Sequence, residues 1–286
     1  MLRSRWSVTG LTAVAPVTWG TTYLVTTQWL PPDRPLLSGV LRALPAGLLA
    51  LAITRHLPHG VWWWRAAVLG TLNIGAFFVL LFVAAYRLPG GVAATLAAAQ
   101  PLVVAALALP LLDERPTRWR LGCGLLGMLG IALMVLRGRI GFDPVGLAAG
   151  LGGTTVMAAG TVLAKRWGRP AGVGPAAFAG WQLTAGGLLI APAALLVEGP
   201  LPSLDGAALA GYAWLSLVGT GLAYTLWFAG LGRLPVAALS FLPLLSPAVA
   251  ALLGWLALGQ TLTGTQFAGF GLAMIAVWTA QYPRKS

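Results

Sequence analysis

Long apolar runs, separated by short stretches of proline, glycine and charged residues, divide the whole chain. Each run has close to the 20 or so residues that a helix needs to cross a bilayer. The apolar residues are continuous and do not alternate over about ten residues, as the strands of a membrane barrel do. The pattern therefore predicts an all-α polytopic membrane protein. Ten transmembrane helices are predicted, at residues 8–29, 36–54, 64–86, 89–111, 119–137, 145–166, 174–197, 208–231, 235–259 and 264–282.

Composition agrees with this pattern and excludes other classes. Only 8% of the 286 residues are charged, whereas a soluble domain carries about 25%. The net charge of +12 does not indicate nucleic-acid binding, because such proteins gather their basic residues on one patch or helix. Here the basic residues lie in the connectors between apolar runs. Arg3 and Arg5 before the first run are also typical of a signal peptide, but the run continues past Trp19, so a retained first span is predicted.

Lysine and arginine are unevenly divided between alternate connectors, and these residues concentrate on the cytoplasmic side of membranes. The N-terminus and every second connector hold thirteen of them: Arg3, Arg5, Arg55, Arg65, Arg115, Arg118, Arg120, Lys165, Arg166, Arg169, Arg233, Arg284 and Lys285. The opposite side holds four: Arg34, Arg87, Arg137 and Arg139. This count predicts that both termini are cytoplasmic, which requires an even number of spans.

The chain also contains an internal repeat. Residues 87–114 align without a gap on residues 233–260, a shift of 146, with nine of 28 positions identical and Pro101 on Pro247. The predicted domains are two five-helix repeats, 1–139 (spans 1–5) and 140–286 (spans 6–10). Because five is odd, the second repeat is inverted in the membrane relative to the first. Inverted repeats are typical of transporters, whose substrate site lies near the midplane between the halves.

Four segments carry a resemblance to a known family. They are "TWGTTY" (18–23) in span 1, "LRALPAGLLALA" with Arg42 in span 2, "LLDERPT" (111–117) after span 4 and "LALGQTLT" (256–263) after span 9. They resemble the EamA-like branch of the drug/metabolite transporter superfamily, although Gln260 stands where that family has glutamate. The chain is most similar to its bacterial ten-span exporters of amino acids, including aromatic amino acids. The resemblance implies a multi-pass exporter in the bacterial inner membrane, and leaves a homodimer open.

Uncharged polar or amphipathic residues lie near the middle of six spans. They are Trp19, Asn73, Gln100, Thr154 and Thr155, Tyr224 and Ser246. The aromatic residues Phe77, Phe78, Trp181 and Trp227 lie in the same spans or in span 7. Together they predict a cavity with aromatic walls and a few polar contacts, which suits a small neutral or zwitterionic molecule such as an amino acid. The alternative is that these polar side chains only bridge neighbouring helices, at about 0.6 kcal/mol per contact.

Arg42 is the one charged residue inside a predicted span. It could hold the carboxylate of a substrate. Alternatively, its side chain extends to the membrane surface or pairs with backbone carbonyls.

Two spans contain prolines at positions where a helix is expected to bend. Pro101 follows Gln100 at the centre of span 4, and Pro243 and Pro247 lie in span 9. Proline lacks an N–H and leaves the carbonyl four residues back, here that of Ala97, without its helical donor. We expect spans 4 and 9 to hinge at these prolines, opening a central cavity to one side at a time, with the freed carbonyls facing water.

The six carboxylates all lie in connectors or at span ends. Carboxylates inside the membrane are the usual proton relays of antiporters, so their absence favours facilitated transport or exchange. Coupling to sodium held by backbone carbonyls at broken helices is the alternative. With two histidines in one loop and a single cysteine, no catalytic residues, metal site or cofactor are expected, and the chain is not predicted to be an enzyme. The alternative function is broad-specificity efflux of drugs or toxic metabolites.

Overall fold

A computed structural model describes residues 2–88, 90–135, 143–259 and 263–282. All regular secondary structure in these residues is helical, which confirms the all-α class for them. Within these described ranges, seven helical segments are long and apolar enough to cross a membrane, judged by length and composition. They are Pro35–Thr54, Trp62–Leu81, Ala94–Leu112, Pro144–Trp167, Pro175–Glu198, Gly206–Leu231 and Val236–Leu258.

Each of the ten predicted spans contains at least one α-helix. In chain order the described α-helices are α1 (Leu2–Gly20), α2 (Thr22–Trp29), α3 (Pro35–Thr54), α4 (Trp62–Gly70), α5 (Ala76–Arg87), α6 (Gly90–Ala97), α7 (Gln100–Leu112), α8 (Arg118–Val135), α9 (Pro144–Trp167), α10 (Pro175–Glu198), α11 (Gly206–Ala213), α12 (Ala223–Leu231), α13 (Val236–Leu239), α14 (Leu245–Leu258) and α15 (Gly264–Ala280). Some residues used in the sequence predictions lie outside the described ranges: Arg137, Arg139, Gln260, Arg284, Lys285 and the repeat boundary at 139/140.

The first apolar run is interrupted between α1 and α2, directly after Trp19 and Gly20. The Thr21 hydroxyl donates to the carbonyl of Thr18 at 2.7 Å, and the Thr18 hydroxyl donates to the carbonyl of Ala15 at 2.8 Å. Threonine side chains that bond to the preceding turn bend helices. The local sequence therefore accounts for the interruption.

Spans 4 and 9 are both broken near their prolines. Helix α6 ends at Ala97, and α7 begins at Gln100 with Pro101 in its first turn. Span 9 contains the short α13, then a 3₁₀ turn over Leu242–Leu244, then α14 with Pro247 in its first turn. Proline is tolerated in the first turn of a helix because that N–H has no helical partner. The prolines thus begin new helices rather than bending continuous ones.

Two spans contain a π-helical segment in the middle. Thr71–Gly75 joins α4 to α5, and Trp214–Leu222 joins α11 to α12. A shift of 146 residues places the first segment within the second, so both halves carry the same irregularity. Such π segments are rare in proteins as a whole, and those that occur are often found at functional sites. The hydropathy pattern did not predict them.

Helix packing follows the internal repeat. Helix α3 packs on α10, and α8 packs on α15, so spans 2 and 5 each contact the corresponding span of the other half. The contact of α5 with α9 has its counterpart in the contact of α12 with α1. The contact of α7 with α9 likewise corresponds to that of α14 with α1. This arrangement is the one expected from a two-fold relation between the halves.

Glycines allow the two central helix pairs to approach closely. A Cβ added at Gly47 of α3 would lie 2.6 Å from the backbone nitrogen of Thr184 in α10. A Cβ added at Gly269 of α15 would lie 2.5 Å from the carbonyl oxygen of Gly130 in α8. Small residues at such contacts are the usual basis of tight helix packing in membranes.

The two ends of the helix bundle are held by different contacts. At one end, here called the terminal end, the rings of Trp6 and Tyr282 lie 5.4 Å apart, so the two ends of the described chain meet. At the opposite end, here called the far end, the Glu198 carboxylate accepts bonds from the backbone nitrogens of Leu36 (2.7 Å) and Leu37 (2.8 Å). A carboxylate at a helix N-terminus is favourable, so Glu198 of α10 fixes the start of α3.

Candidate functional site

Arg42 lies in the middle of α3, where that helix packs against the π segment Trp214–Leu222. Its Nε donates a hydrogen bond to the hydroxyl of Thr220 at 3.2 Å. The guanidinium carbon lies 5.1 Å from the centre of the Phe78 ring, within the range of a cation–π contact. The structure therefore surrounds this charge with a hydroxyl and an aromatic ring contributed by two other helical segments.

Five of the predicted aromatic residues form two groups of ring contacts, one of which reaches Arg42 through Phe78. The Trp19 ring lies 5.3 Å from the Tyr224 ring and 5.4 Å from the Trp227 ring. The Phe77 and Phe78 rings are 5.7 Å apart, and Phe78 contacts Arg42. Centroid separations of 4.5–7 Å are the favourable range for aromatic pairs. We refer to Trp19, Phe77, Phe78, Tyr224 and Trp227 as the aromatic cluster.

Thr220 was not identified from the sequence, although it is the hydrogen-bond partner of Arg42. It lies in the π segment, four residues before Tyr224. Thr220 bonds to Arg42 of α3, and Tyr224 contributes its ring to the aromatic cluster. A hydroxyl in the glycine-rich stretch "GTGLAY" (219–224) was the available signal.

The Trp-Gly pair brings span 1 to both the aromatic cluster and span 9. Trp19 contributes its ring to the cluster. A Cβ added at Gly20 would lie 2.5 Å from the Cβ of Val249 and 2.8 Å from the carbonyl oxygen of Ser246. A residue with a side chain would push α1 away from α14, so this close approach requires glycine. Ser246, which Pro247 follows, therefore lies against Gly20, the residue after Trp19 in the sequence.

Asn73 belongs to a separate hydrogen-bonded pair. Its Nδ2 donates to Oε1 of Gln182 in α10 at 2.8 Å, and Gln182 in turn donates to the carbonyl of Phe178 at 3.2 Å. Asn73 also packs directly against Gly160 of α9. The amide thus joins three helices, as in the bridging alternative. Gln182, a polar residue in an otherwise apolar span, was missed in the sequence analysis.

Thr154 is bonded to backbone. Its hydroxyl lies 2.9 Å from the carbonyl of Gly150 and 3.2 Å from the carbonyl of Leu96, at the broken end of α6. The neighbouring Thr155 is exposed on the outside of the bundle and donates to Leu151 at 2.8 Å. These contacts again match the bridging alternative.

Several buried polar atoms have no hydrogen-bond partner within the described part of the chain. Trp19 Nε1 and Gln100 Nε2 are two such donors, and Asn73 Oδ1 is such an acceptor. Buried polar groups are almost always hydrogen-bonded, so unpaired donors indicate positions where water or a ligand binds. Trp19 lies in the aromatic cluster, and Gln100 lies at the break before Pro101.

Trp181 lies beyond the aromatic cluster and is linked to Tyr224 through the rings of Phe178 and Phe228. Its Nε1 donates to the backbone carbonyl of His56 at 2.7 Å, and its ring lies 5.9 Å from that of Trp62. Both partners belong to the connector before α4 or to the start of that helix. The sequence analysis grouped Trp181 with residues at the middle of the spans, whereas these contacts lie at one end of the bundle, near the start of α4.

All six carboxylates lie in connectors, at helix ends or at cap positions of the described structure: Asp33, Asp113, Glu114, Asp143, Glu198 and Asp205. Asp143 accepts bonds from the backbone nitrogens of Gly146 and Val145 and pairs with Arg87 at 3.4 Å. The bond from Gly146 is the largest cause that holds the pKa of Asp143 below its ordinary value. Among the described residues, no group of three or more His, Cys, Asp or Glu side chains is placed to bind a metal.

Comparison with known proteins gives consistent matches. The model of the EamA-like transporter family matches the chain twice, over residues 6–136 and 144–280. The chain is 49% identical over 256 residues to Protein PecM of Dickeya dadantii, covering 89% of this chain and 86% of that protein. It is 28% identical to the uncharacterized inner membrane transporter YedA of Escherichia coli, covering 91% of this chain and 86% of that protein.

Two further similarities cover nearly the whole chain. A probable amino-acid metabolite efflux pump of Salmonella typhimurium is 26% identical, with 94% of this chain and 92% of that protein covered. A crystal structure of a protein 22% identical in sequence matches with a TM-score of 0.82 over 96% of both chains. At that identity the structural match shows a common fold.

Proposed function

Because the chain belongs to the EamA-like transporter family, we propose that this membrane transporter exports amino acids or similar small neutral or zwitterionic metabolites. The observation that carries the proposal is the setting of Arg42, beside Thr220, Phe78 and the rest of the aromatic cluster. A guanidinium has five N–H donors, and Thr220 accepts the one on Nε. We assign the Nη donors to a substrate carboxylate and the rings to its apolar side chain.

The membrane topology is part of this proposal: ten spans form two inverted repeats, 1–139 and 140–286, with both termini in the cytoplasm. The pairing of corresponding helices across the halves supports the repeats. The contact of Trp6 with Tyr282 supports an even number of crossings. A relative is named an inner membrane transporter, which supports a bacterial inner-membrane location.

Within the proposed site we distinguish contacting residues from supporting ones. Arg42 and the aromatic cluster bind the substrate, and Gln100 and Ser246 lie at the two helix breaks on either side of the pseudo-two-fold axis. Asn73 and Thr154 hold helices together through the bonds described above. These two residues were candidate ligands in the sequence analysis, and their bonds favour the bridging role.

We propose that the protein transports its substrate by alternating access. The breaks at residues 98–99 and at Ser240–Phe241 divide spans 4 and 9 into short and long helices, so each span can change angle at its break. We propose Pro101, Pro243 and Pro247 as the hinge residues. Because the carboxylates lie outside the spans, the transporter works by facilitated diffusion or exchange.

Uptake into proteoliposomes tests the function. The purified chain is reconstituted and challenged with a panel of radiolabelled amino acids, with and without a pH or sodium gradient. We expect uptake of at least one neutral amino acid above that of protein-free liposomes, with a rate that neither gradient changes. Failure to transport any zwitterion, combined with cross-resistance to unrelated toxic compounds on expression, would instead establish the broad-specificity efflux alternative.

A further inference from the structure

Arg65, near the start of α4, is surrounded by three tryptophan rings. Its guanidinium carbon lies 5.2 Å from the ring centre of Trp62, 5.7 Å from that of Trp64 and 5.3 Å from that of Trp167 at the end of α9. The Trp64 and Trp167 rings also contact each other edge to face at 5.1 Å. These four residues, here called the Trp–Arg cluster, join the ends of spans 3 and 6.

Among the described residues, no carboxylate forms an ion pair with Arg65. Within the described residues the ion pair found is that of Arg87 with Asp143, at the far end. The Nε atom of Arg65 is buried and has no hydrogen-bond partner in the described part of the chain. Cation–π contacts stabilise a guanidinium but leave its N–H groups without acceptors. An anion that accepts these hydrogen bonds would complete the cluster.

The cluster lies at the outer surface of the bundle. In the first turn of α4, Trp63 is 58% exposed and Trp64 is 51% exposed, whereas Trp62 is buried against Phe178 and Trp181. Tryptophans at span ends occupy the headgroup level of the membrane. The exposed rings therefore face lipid at the depth where phosphates are found.

We propose that the Trp–Arg cluster is a binding site for the headgroup of an anionic phospholipid. The lipid phosphate accepts hydrogen bonds from Arg65, a charge-assisted contact of the strong kind, and its acyl chains lie along Trp63 and Trp64. Basic residues at the cytoplasmic face of membrane helices bind anionic headgroups in this way. Phosphatidylcholine has the same phosphate but carries a compensating cation, and the rings of the cluster that could hold this cation already surround Arg65. The site therefore favours a lipid with net negative charge.

Native mass spectrometry of the full chain tests the site. The protein is equilibrated with mixtures of phosphatidylglycerol and phosphatidylcholine that have identical acyl chains, and the bound lipids are counted. We expect the wild type to retain phosphatidylglycerol preferentially. Arg65→Gln should lower this preference about fivefold, the contribution of one basic residue at the surface. Arg166→Gln, which removes an exposed charge at the same end of α9, is the matched control for net charge and should lower the preference less than Arg65→Gln does.

Two further arms complete the test. Trp64→Leu leaves Arg65 in place and removes one of the three rings that position its guanidinium, so it should also weaken the preference. This variant serves as the test if Arg65→Gln does not fold. Glycerophosphoglycerol, the soluble headgroup, should not displace the lipid, because it has no acyl chains to lie on Trp63 and Trp64. The proposal is overturned if folded variants at both positions retain the wild-type preference, if Arg166→Gln lowers it equally, or if the soluble headgroup competes fully.

Discussion

At the scale of single residues, Trp19 and Gly20 show how two adjacent positions serve different neighbours. Successive residues of a helix point about 100° apart, so the Trp19 ring contacts Tyr224 and Trp227 of α12 while the Gly20 backbone contacts α14. One residue needs a large aromatic ring and the next needs no side chain at all. This gives a physical reason for the Trp-Gly pair of span 1.

Gly20→Ala should destabilise the protein. The new Cβ would lie 2.5 Å from the Cβ of Val249, and overpacking of this kind costs about 1–3 kcal/mol. Thermal unfolding in detergent should therefore show a lower midpoint than the wild type. Gly271→Ala is the control, since nothing lies within 4 Å of a Cβ at that position. Equal midpoints for the two variants would contradict the close contact between spans 1 and 9.

Arg42→Gln should weaken substrate binding more than folding. Loss of a charge-assisted hydrogen bond lowers affinity by about tenfold to a hundredfold, which appears as a higher KM for zwitterionic substrates in proteoliposomes. Arg118→Gln, an exposed arginine at the start of α8, controls for the change in net charge. A wild-type KM in a folded Arg42→Gln variant would remove Arg42 from the site and leave it a packing role against Phe78 and Thr220.

The sequence singled out Arg42 and the aromatic cluster together with Asn73 and Thr154. It could not distinguish residues of the proposed site from residues that bridge helices. Depth in a span follows from counting residues, whereas the direction of a side chain follows from the helical phase. A π segment adds residues to a turn, so Thr71–Gly75 and Trp214–Leu222 shift the phase of every residue after them. This shift explains why Thr220 was missed as the partner of Arg42.

At the scale of helices, the sequence predicted bends in spans 4 and 9, and the structure shows where they lie. The chain breaks at residues 98–99, before Gln100, and again over Ser240–Phe241, ahead of the 3₁₀ turn. Proline disfavours helix in the residue before it and starts the next helix well. Hydropathy alone did not specify that the Thr154 hydroxyl would bond to the Leu96 carbonyl exposed by the first break.

Pro101→Ala and Pro247→Ala should each impair turnover more than membrane insertion. Alanine supplies the missing N–H and favours a continuous helix, which stiffens the hinge. We expect a lower transport rate in proteoliposomes at a wild-type level of purified protein. Pro110→Ala, an exposed proline later in α7, is the control and should transport normally. Full transport by both hinge variants would contradict the hinge role.

At the scale of the whole molecule, the two ends of the bundle differ in chemistry. The terminal end gathers basic connectors and tryptophans, and there Lys165 donates to the carbonyls of Leu231 and Leu234 at 2.8 Å each. The far end is closed by Glu198 on the start of α3. Connectors that alternate along the sequence thus meet at the same end of the bundle. The orientation of the bundle follows if the basic end faces the cytoplasm.

Labelling with a membrane-impermeant maleimide tests this orientation directly. In a Cys123→Ser background, Ser203→Cys places an exposed thiol in a far-end connector, and His59→Cys places one in a terminal-end connector. Five proposed spans separate the two positions, so they should lie on opposite sides of the membrane. We expect Ser203→Cys to react in intact cells and His59→Cys to react only after the inner membrane is permeabilised, with the cysteine-free protein as the unlabelled control. The reverse pattern would invert the orientation, and reaction of both in intact cells would contradict the odd number of spans between them.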